Sequence, residues 1–259
     1  MTASIDLNSD MGESFGAYIL GHDAALLDFV SSANIACGFH GGDPRVMAAT
    51  VALACEKGVA VGAHPSYPDL VGFGRREMAV SPQEAYDDLL YQLGALYAFC
   101  RAAGIPLQHV KPHGAIYNRA AVDEPLADAL ARAVAAFDHD LILVGLPNAA
   151  TERAARTVGI PYAREAFADR AYNPDGTLAS RKLPGAVISD PAEVARRAVA
   201  MVTQGRVRTV GGDEIALEAQ TLCIHGDTPG APGLARMVRS ALEEAGVTIR
   251  PMAELVGKR

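Results

Sequence analysis

Ile5-Asp-Leu-Asn-Ser-Asp-Met-Gly-Glu-Ser14 opens the chain's first alternation of apolar and polar residues, and its reading decides the fold. Successive side chains of an extended strand point to opposite faces, so Asp6, Asn8 and Asp10 share one face. On a solvent-facing strand these would be ordinary exposed acids. Inside a closed barrel each would need a partner, because an unpaired buried carboxylate is costly. An inward polar row at a strand end therefore points to a site.

The strands that follow favour the barrel. Apolar runs near residues 3–9, 32–37, 59–63, 108–112, 140–145, 160–165 and 221–225 alternate with amphipathic stretches, the rhythm of parallel strands covered by helices. The helices carry start and stop signals. One runs from Asp43-Pro44 to Gly58, and another from Ser81-Pro82, with Glu84 completing a capping box, to Gly104. Others run from Asp123 to about Phe137, Asn148 to Gly159, Asp190-Pro191 to Gly205 and about Gly233 to Gly246. Arg206 to Glu218 breaks the rhythm, and Gly211-Gly212-Asp213 predicts a small hairpin on the barrel rim. Seven strands can close or stay open as a doubly wound sheet. An open sheet builds its ligand site at one switch point, whereas a barrel uses nearly every strand end. Here nearly every strand ends in something chemical.

The first strand leads to Asp10 and Glu13, and the second runs Asn34-Ile-Ala-Cys-Gly-Phe-His40-Gly-Gly-Asp43. The third ends in Gly62-Ala-His64-Pro-Ser-Tyr67, the fourth in Lys111-Pro-His113-Gly-Ala-Ile-Tyr117 and the last in Cys223-Ile-His225-Gly-Asp227. Four of seven histidines thus follow strands directly, while His22, His109 and His139 receive no role. Imidazoles and a carboxylate at a barrel mouth can ligate a divalent metal that acidifies water for attack on a carbonyl, and Asp10, His40 and His64 are the candidate trio. Without metal, the same residues can serve as general acid and base. Lys111 suits a carboxylate or a developing oxyanion. Gly72-Phe-Gly-Arg75-Arg76 offers amides and guanidinium groups to a phosphate or carboxylate. The charged stretch from Arg164 to Arg181, including Glu165, Asp169 and Arg170, reads as an active-site loop.

The bulk composition sets limits. At 259 residues, half of them hydrophobic, one barrel domain over residues 1–259 is expected. A net charge of -7 gives no footprint for nucleic acid or anionic membrane. The N-terminus has no secretory character and no apolar run is long enough to span a bilayer, so a cytoplasmic location is expected. Cys37, Cys55, Cys100 and Cys223 form no CxxC pair, which argues against a disulfide framework or zinc knuckle. Neither a Walker A nor a GxGxxG nucleotide loop occurs.

Taken in order from Asp6 to Asp227, Asp6-Leu-Asn-Ser-Asp-Met-Gly-Glu, Asn34-Ile-Ala-Cys-Gly-Phe-His-Gly-Gly-Asp, Gly62-Ala-His-Pro-Ser-Tyr, Val110-Lys-Pro-His-Gly-Ala, Glu165-Ala-Phe-Ala-Asp-Arg-Ala-Tyr and Ile224-His-Gly-Asp strongly resemble the LamB/YcsF family, that of the A subunit of bacterial 5-oxoprolinase. The resemblance implies a distorted seven-stranded β/α barrel of the glycoside hydrolase/deacetylase type. It also implies ATP-dependent opening of 5-oxoproline (pyroglutamate) to L-glutamate, with ATP as co-substrate and the B and C subunits of 5-oxoprolinase as partners. On that basis Asp10, Glu13, His40, His64, Lys111, His113 and His225 are the catalytic candidates. Asn8, Arg75, Glu165, Asp169, Arg170 and Asp227 are the candidates for binding substrate or phosphate. Two other readings stay open: a metal-dependent deacetylase or amidohydrolase, and a non-catalytic lactam-binding subunit.

Overall fold

The computed structural model describes residues 3–181, 183–226 and 230–256. Strands β1 (Ser4–Met11), β2 (Ser32–Ala36), β3 (Ala60–His64), β4 (Leu107–Val110), β5 (Ile142–Gly145) and β6 (Tyr162–Phe167) follow one another around a parallel sheet. Strands β7 (Arg206–Arg208) and β8 (Glu214–Ala216) stand apart as the antiparallel hairpin predicted around Gly211-Gly212. Strand β9 (Thr221–Cys223) then pairs with both β6 and β1 and closes a seven-stranded barrel. Outside the ring, β10 (Thr248–Ile249) pairs in parallel with the start of β1.

The length of β1 follows from this closure. Ser4 and Ile5 pair with β10, Asp6 to Asn8 with β9, and Asn8 to Met11 with β2. The two edges of the strand are offset, as the stagger of a barrel requires.

Helices α1 (Asp23–Leu26), α2 (Pro44–Lys57), α3 (Pro82–Ala102), α4 (Gly114–Ala120), α5 (Glu124–Phe137), α6 (Ala150–Val158), α7 (Pro191–Gln204) and α8 (Ala231–Glu244) connect the strands. They use the punctuation legible in the sequence. Asp43 accepts the amides of Arg45 and Val46 at the start of α2, and Ser81 and Glu84 form the capping box of α3. The short α1 and α4 and the two-residue β10 are additions to the predicted elements. Helix α4 follows His113 with no side-chain cap, so it lacks the usual sequence signal. None of the helices among the described residues is long and apolar enough to cross a membrane.

Leu7, Met11, Val61, Leu143 and Leu222 belong to the apolar core that the strands share with helices such as α5 and α8. The barrel interior is different. Regular α/β barrels fill it with branched aliphatic side chains, but here Asp6, Asn8, Ser32, Asn34, Glu165 and Thr221 are fully buried. They are joined in one hydrogen-bonded network. Asp6 accepts from the hydroxyls of Ser31 (2.7 Å), Ser32 (2.6 Å) and Thr221 (2.5 Å), and Asn8 donates to Thr221 (2.6 Å) and Glu165 (3.0 Å). Asn34 donates to Asn8 (2.7 Å) and receives a hydrogen bond from His109 Nε2 (2.7 Å). Strand β5 is the exception, since Ile142 and Val144 join Ala163 and Met252 in a small apolar cluster.

Candidate active site

Lys111 leaves the end of β4 and turns into the barrel, where it is buried. Its Nζ lies 2.8 Å from Asp10, 3.0 Å from Glu165, 3.2 Å from Asn8 Oδ1 and 3.0 Å from Cys223 Sγ. Burial alone would push an ammonium toward neutrality, but the acids Asp10 and Glu165 outweigh it and hold Lys111 well above the usual lysine range. Burial likewise opposes ionisation of Asp10, and the Lys111 ammonium helps overcome it, keeping this carboxyl well below the usual range. Burial drives the Cys223 thiol well up, so it enters the site as an inert thiol. The floor of the site is therefore a fixed ammonium between two carboxylates.

A histidine group stands beside it. His64 Nδ1 lies 2.6 Å from the Lys111 carbonyl oxygen, and His113 Nε2 lies 2.9 Å from that of Phe73. Carbonyls only accept, so each of those nitrogens carries a ring proton. The other two, His64 Nε2 and His113 Nδ1, face each other at 2.9 Å. In neutral rings these are two lone pairs, and carboxylates crowd the same space. Glu13 Oε1 is 3.1 Å from His40 Nε2 and 3.5 Å from His113 Nδ1, and Asp10 Oδ1 is 3.3 Å from His64 Nε2.

A cation would satisfy these converging acceptors. Glu13, His40, His64 and His113 each offer a ligand atom, all within 4.8 Å of one another and all buried, so they could hold a metal ion. Burial and neighbouring imidazoles push His40 and His113 well below the usual histidine range, leaving neutral rings as a metal requires. Anchoring a ring through its second nitrogen to a backbone carbonyl, as in His64 and His113, is the usual support of a ligating histidine. His40 stacks on His113 at 3.8 Å between centroids, and its Nδ1 is buried with no hydrogen-bond partner.

His225 belongs to a second cluster. Its Nδ1 lies 2.7 Å from Asp169 Oδ2, its Nε2 accepts from Arg181 Nη2 at 2.9 Å, and its ring stacks on Phe167 with centroids 5.5 Å apart. Burial opposes ionisation of Asp169, but His225 and the nearby arginines hold its carboxyl below the usual range. Arg170 bonds the carbonyls of Ala179 and Ala186, and burial and Arg181 lower its guanidinium to about 10. A cavity of about 680 Å³ is lined by both clusters, Asp10, His64, Lys111 and His113 from one and Phe167, Arg170, Arg181 and His225 from the other. That is the size of a small-molecule site, ~300–1,000 Å³.

The model of the LamB/YcsF family matches residues 5–257. The chain belongs to this family. It is 57% identical over 246 residues to a Thermus thermophilus protein named as the A subunit of 5-oxoprolinase, covering 95% of this chain and 98% of the relative. A relative of the same name from Pyrococcus horikoshii is 53% identical over 252 residues, covering 97% and 99%. The crystal structure of a lactam utilization protein from Thermus thermophilus superimposes with a TM-score of 0.92 at 56% identity, covering 95% of this chain and 99% of that one.

In this LamB/YcsF barrel the residues singled out from the sequence fall into three places. Asp10, Glu13, His40, His64, Lys111 and His113 come together at one mouth. His225, Asp169 and Arg170 form the second cluster, and the exposed Arg75 reaches the cavity with its guanidinium 5.0 Å over the Phe73 ring. Asn8 and Glu165 stay inside the barrel beneath Lys111 and brace it without lining the cavity. Asp227 lies outside the described residues. Of the candidate trio Asp10, His40 and His64, the two histidines fall with Glu13 and His113 in a group that could hold a metal ion, and Asp10 lies beside it, 3.3 Å from His64 Nε2 and paired with Lys111. His109 and Asn34, given no role from sequence, hold the interior, and Phe167 and Arg181 shape the cavity. The alternation in β9 that places Thr221 and Cys223 inward was the signal for Cys223.

Proposed function

We propose that this chain is the A subunit of a multi-subunit 5-oxoprolinase and that its barrel mouth opens 5-oxoproline to L-glutamate in an ATP-dependent reaction carried out with the B and C subunits. The observation that carries the reading is the pairing, in one cavity, of a proton-handling wall with a cationic one. Lys111 and the imidazoles of His64 and His113 share it with Arg170 and Arg181. A small anionic amide needs both. The names of the relatives support the same assignment.

A five-membered lactam is a resonance-stabilised amide, and phosphorylating its oxygen from ATP creates a leaving group that hydrolysis can then exploit. Lys111, fixed by Asp10 and Glu165, would stabilise negative charge as it develops on the carbonyl oxygen. His225 would hold and move protons, as would His64 and His113 with no cation bound, and Arg75 and Arg170 would take anionic groups of substrate or phosphate. A divalent cation held by Glu13, His40, His64 and His113 would supply a Lewis acid for the same carbonyl. On this reading residues 1–259 are one barrel domain of a cytoplasmic protein.

Reconstitution with the partner subunits, followed by an assay of ATP-dependent glutamate release, tests the proposal. His64→Ala and Asp10→Ala should abolish glutamate formation while leaving the far-ultraviolet circular dichroism spectrum unchanged; near-normal turnover in either variant would sink the assignment. The histidine group also favours a second reading, a metal-dependent amidohydrolase that acts alone. Turnover by the isolated chain without ATP, lost on chelation and restored by one cation, would select that reading instead.

A further inference from the structure

We propose that Arg181 and His225 form a two-part subsite that reads the nitrogen edge of the substrate, the ring N–H and the carboxylate on the neighbouring carbon. The inference rests on the lactam reading above and adds the way the ligand is recognised and oriented.

The geometry begins with a ring whose tautomer is fixed. Asp169 Oδ2 accepts from His225 Nδ1 at 2.7 Å, so the ring proton lies there and Nε2 is an acceptor. Arg181 supports the assignment from the other side, because a guanidinium can only donate and its Nη2 sits 2.9 Å from Nε2. Phe167 stacks against the ring and Asp169 is buried, so the imidazole cannot readily turn. The cavity thus presents a charged donor and a neutral acceptor side by side, both lining its wall.

The ligand edge that complements this pair has an anionic acceptor next to an N–H donor. A cyclic secondary amide carrying a carboxylate on the carbon beside nitrogen has that edge. In 5-oxoproline the carboxylate sits on one neighbour of the ring nitrogen, and the carbonyl is on the other. With the carboxylate on Arg181 and the N–H on His225 Nε2, the carbonyl is left free to meet Lys111 and the histidine group. Such a ligand replaces both halves of the Arg181–His225 hydrogen bond at once. A lactam without the carboxylate breaks that bond and leaves the guanidinium without its partner, and an N-methylated lactam leaves Nε2 without a donor.

Isothermal titration of the full chain with 5-oxoproline, 2-pyrrolidinone and N-methyl-5-oxoproline, for wild type and Arg181→Gln, tests this. Wild type should prefer 5-oxoproline over each analogue by about 10- to 100-fold. Arg181→Gln should bind 5-oxoproline no better than 2-pyrrolidinone. Arg181 is exposed, so the variant should fold, and circular dichroism checks that it does. Wild-type affinity for 5-oxoproline retained in Arg181→Gln overturns the subsite alone. Equal binding of the N-methylated ligand by wild type removes the role of His225. Failure of wild type to bind any of the three overturns both the subsite and the lactam reading.

Discussion

His113 shows how much can turn on one ring nitrogen. Its Nε2 is tied to the Phe73 carbonyl and its Nδ1 is aimed at His64 Nε2, so the space between the two rings calls for positive charge. A divalent metal would fill that need better than a shared proton, because Glu13 and His40 could complete its shell. The chain purified without chelators is therefore expected to carry a divalent cation in about one equivalent. His113→Ala should lose it, as measured by inductively coupled plasma mass spectrometry. A wild-type chain that stays metal-free when dialysed against zinc, manganese or nickel would contradict the assignment. The sequence showed which histidines follow strands but not which nitrogen of each would face its neighbours. That choice is made by backbone carbonyls from other loops. Glu13 was legible only as an acid near the first strand. Gly12, with φ +67°, ends the strand's alternation, so the period of two cannot say where the next side chain points.

At the scale of elements, β3 and β4 fit together through a missing side chain. A Cβ on Gly62 would run into the His109 ring, well inside any allowed contact. His109 in turn is the residue that holds Asn34, and burial and Lys111 push its imidazole down to about 3. Gly62→Ala must displace this buried neutral ring, at a cost of about 1–3 kcal/mol or more. The expected result is a drop of roughly 2–4 °C in Tm for each kcal/mol, read by thermal melting; an unchanged Tm would show that the contact is slack. The strands themselves were legible, with boundaries displaced by one or two residues, because alternation and glycine punctuation are local signals. The pairing of Gly62 with His109 was not, since it depends on the register between two strands separated by a 21-residue helix. The fit of Arg181 to His225 was hidden for the same reason, the two lying 44 residues apart.

For the molecule as a whole, the polar interior makes stability depend on pH in an unusual direction. Burial raises the Asp6 carboxyl to about 6 from an ordinary 3.8, against the pull of its three hydroxyl donors. The folded barrel therefore binds this proton more tightly than the unfolded chain does. The resulting stabilisation is fully present below pH 3.8 and is lost as pH rises through about 6. The urea midpoint of wild type should carry a decline between about pH 4 and about pH 6.5 that Asp6→Asn flattens. Equal declines in the two proteins would assign the pH dependence to other groups. The offset register of β1 has a further consequence, for the chain while it is being made. Strand β1 waits long for one of its neighbours, because its partner Thr221 is more than 200 residues away. At roughly 5–20 residues per second, Asp6 and Asn8 spend on the order of 10–40 s without the Thr221 hydroxyl that both will use. Until β9 emerges the nascent barrel is an open sheet with two raw edges, the state in which a chaperone has most to offer it.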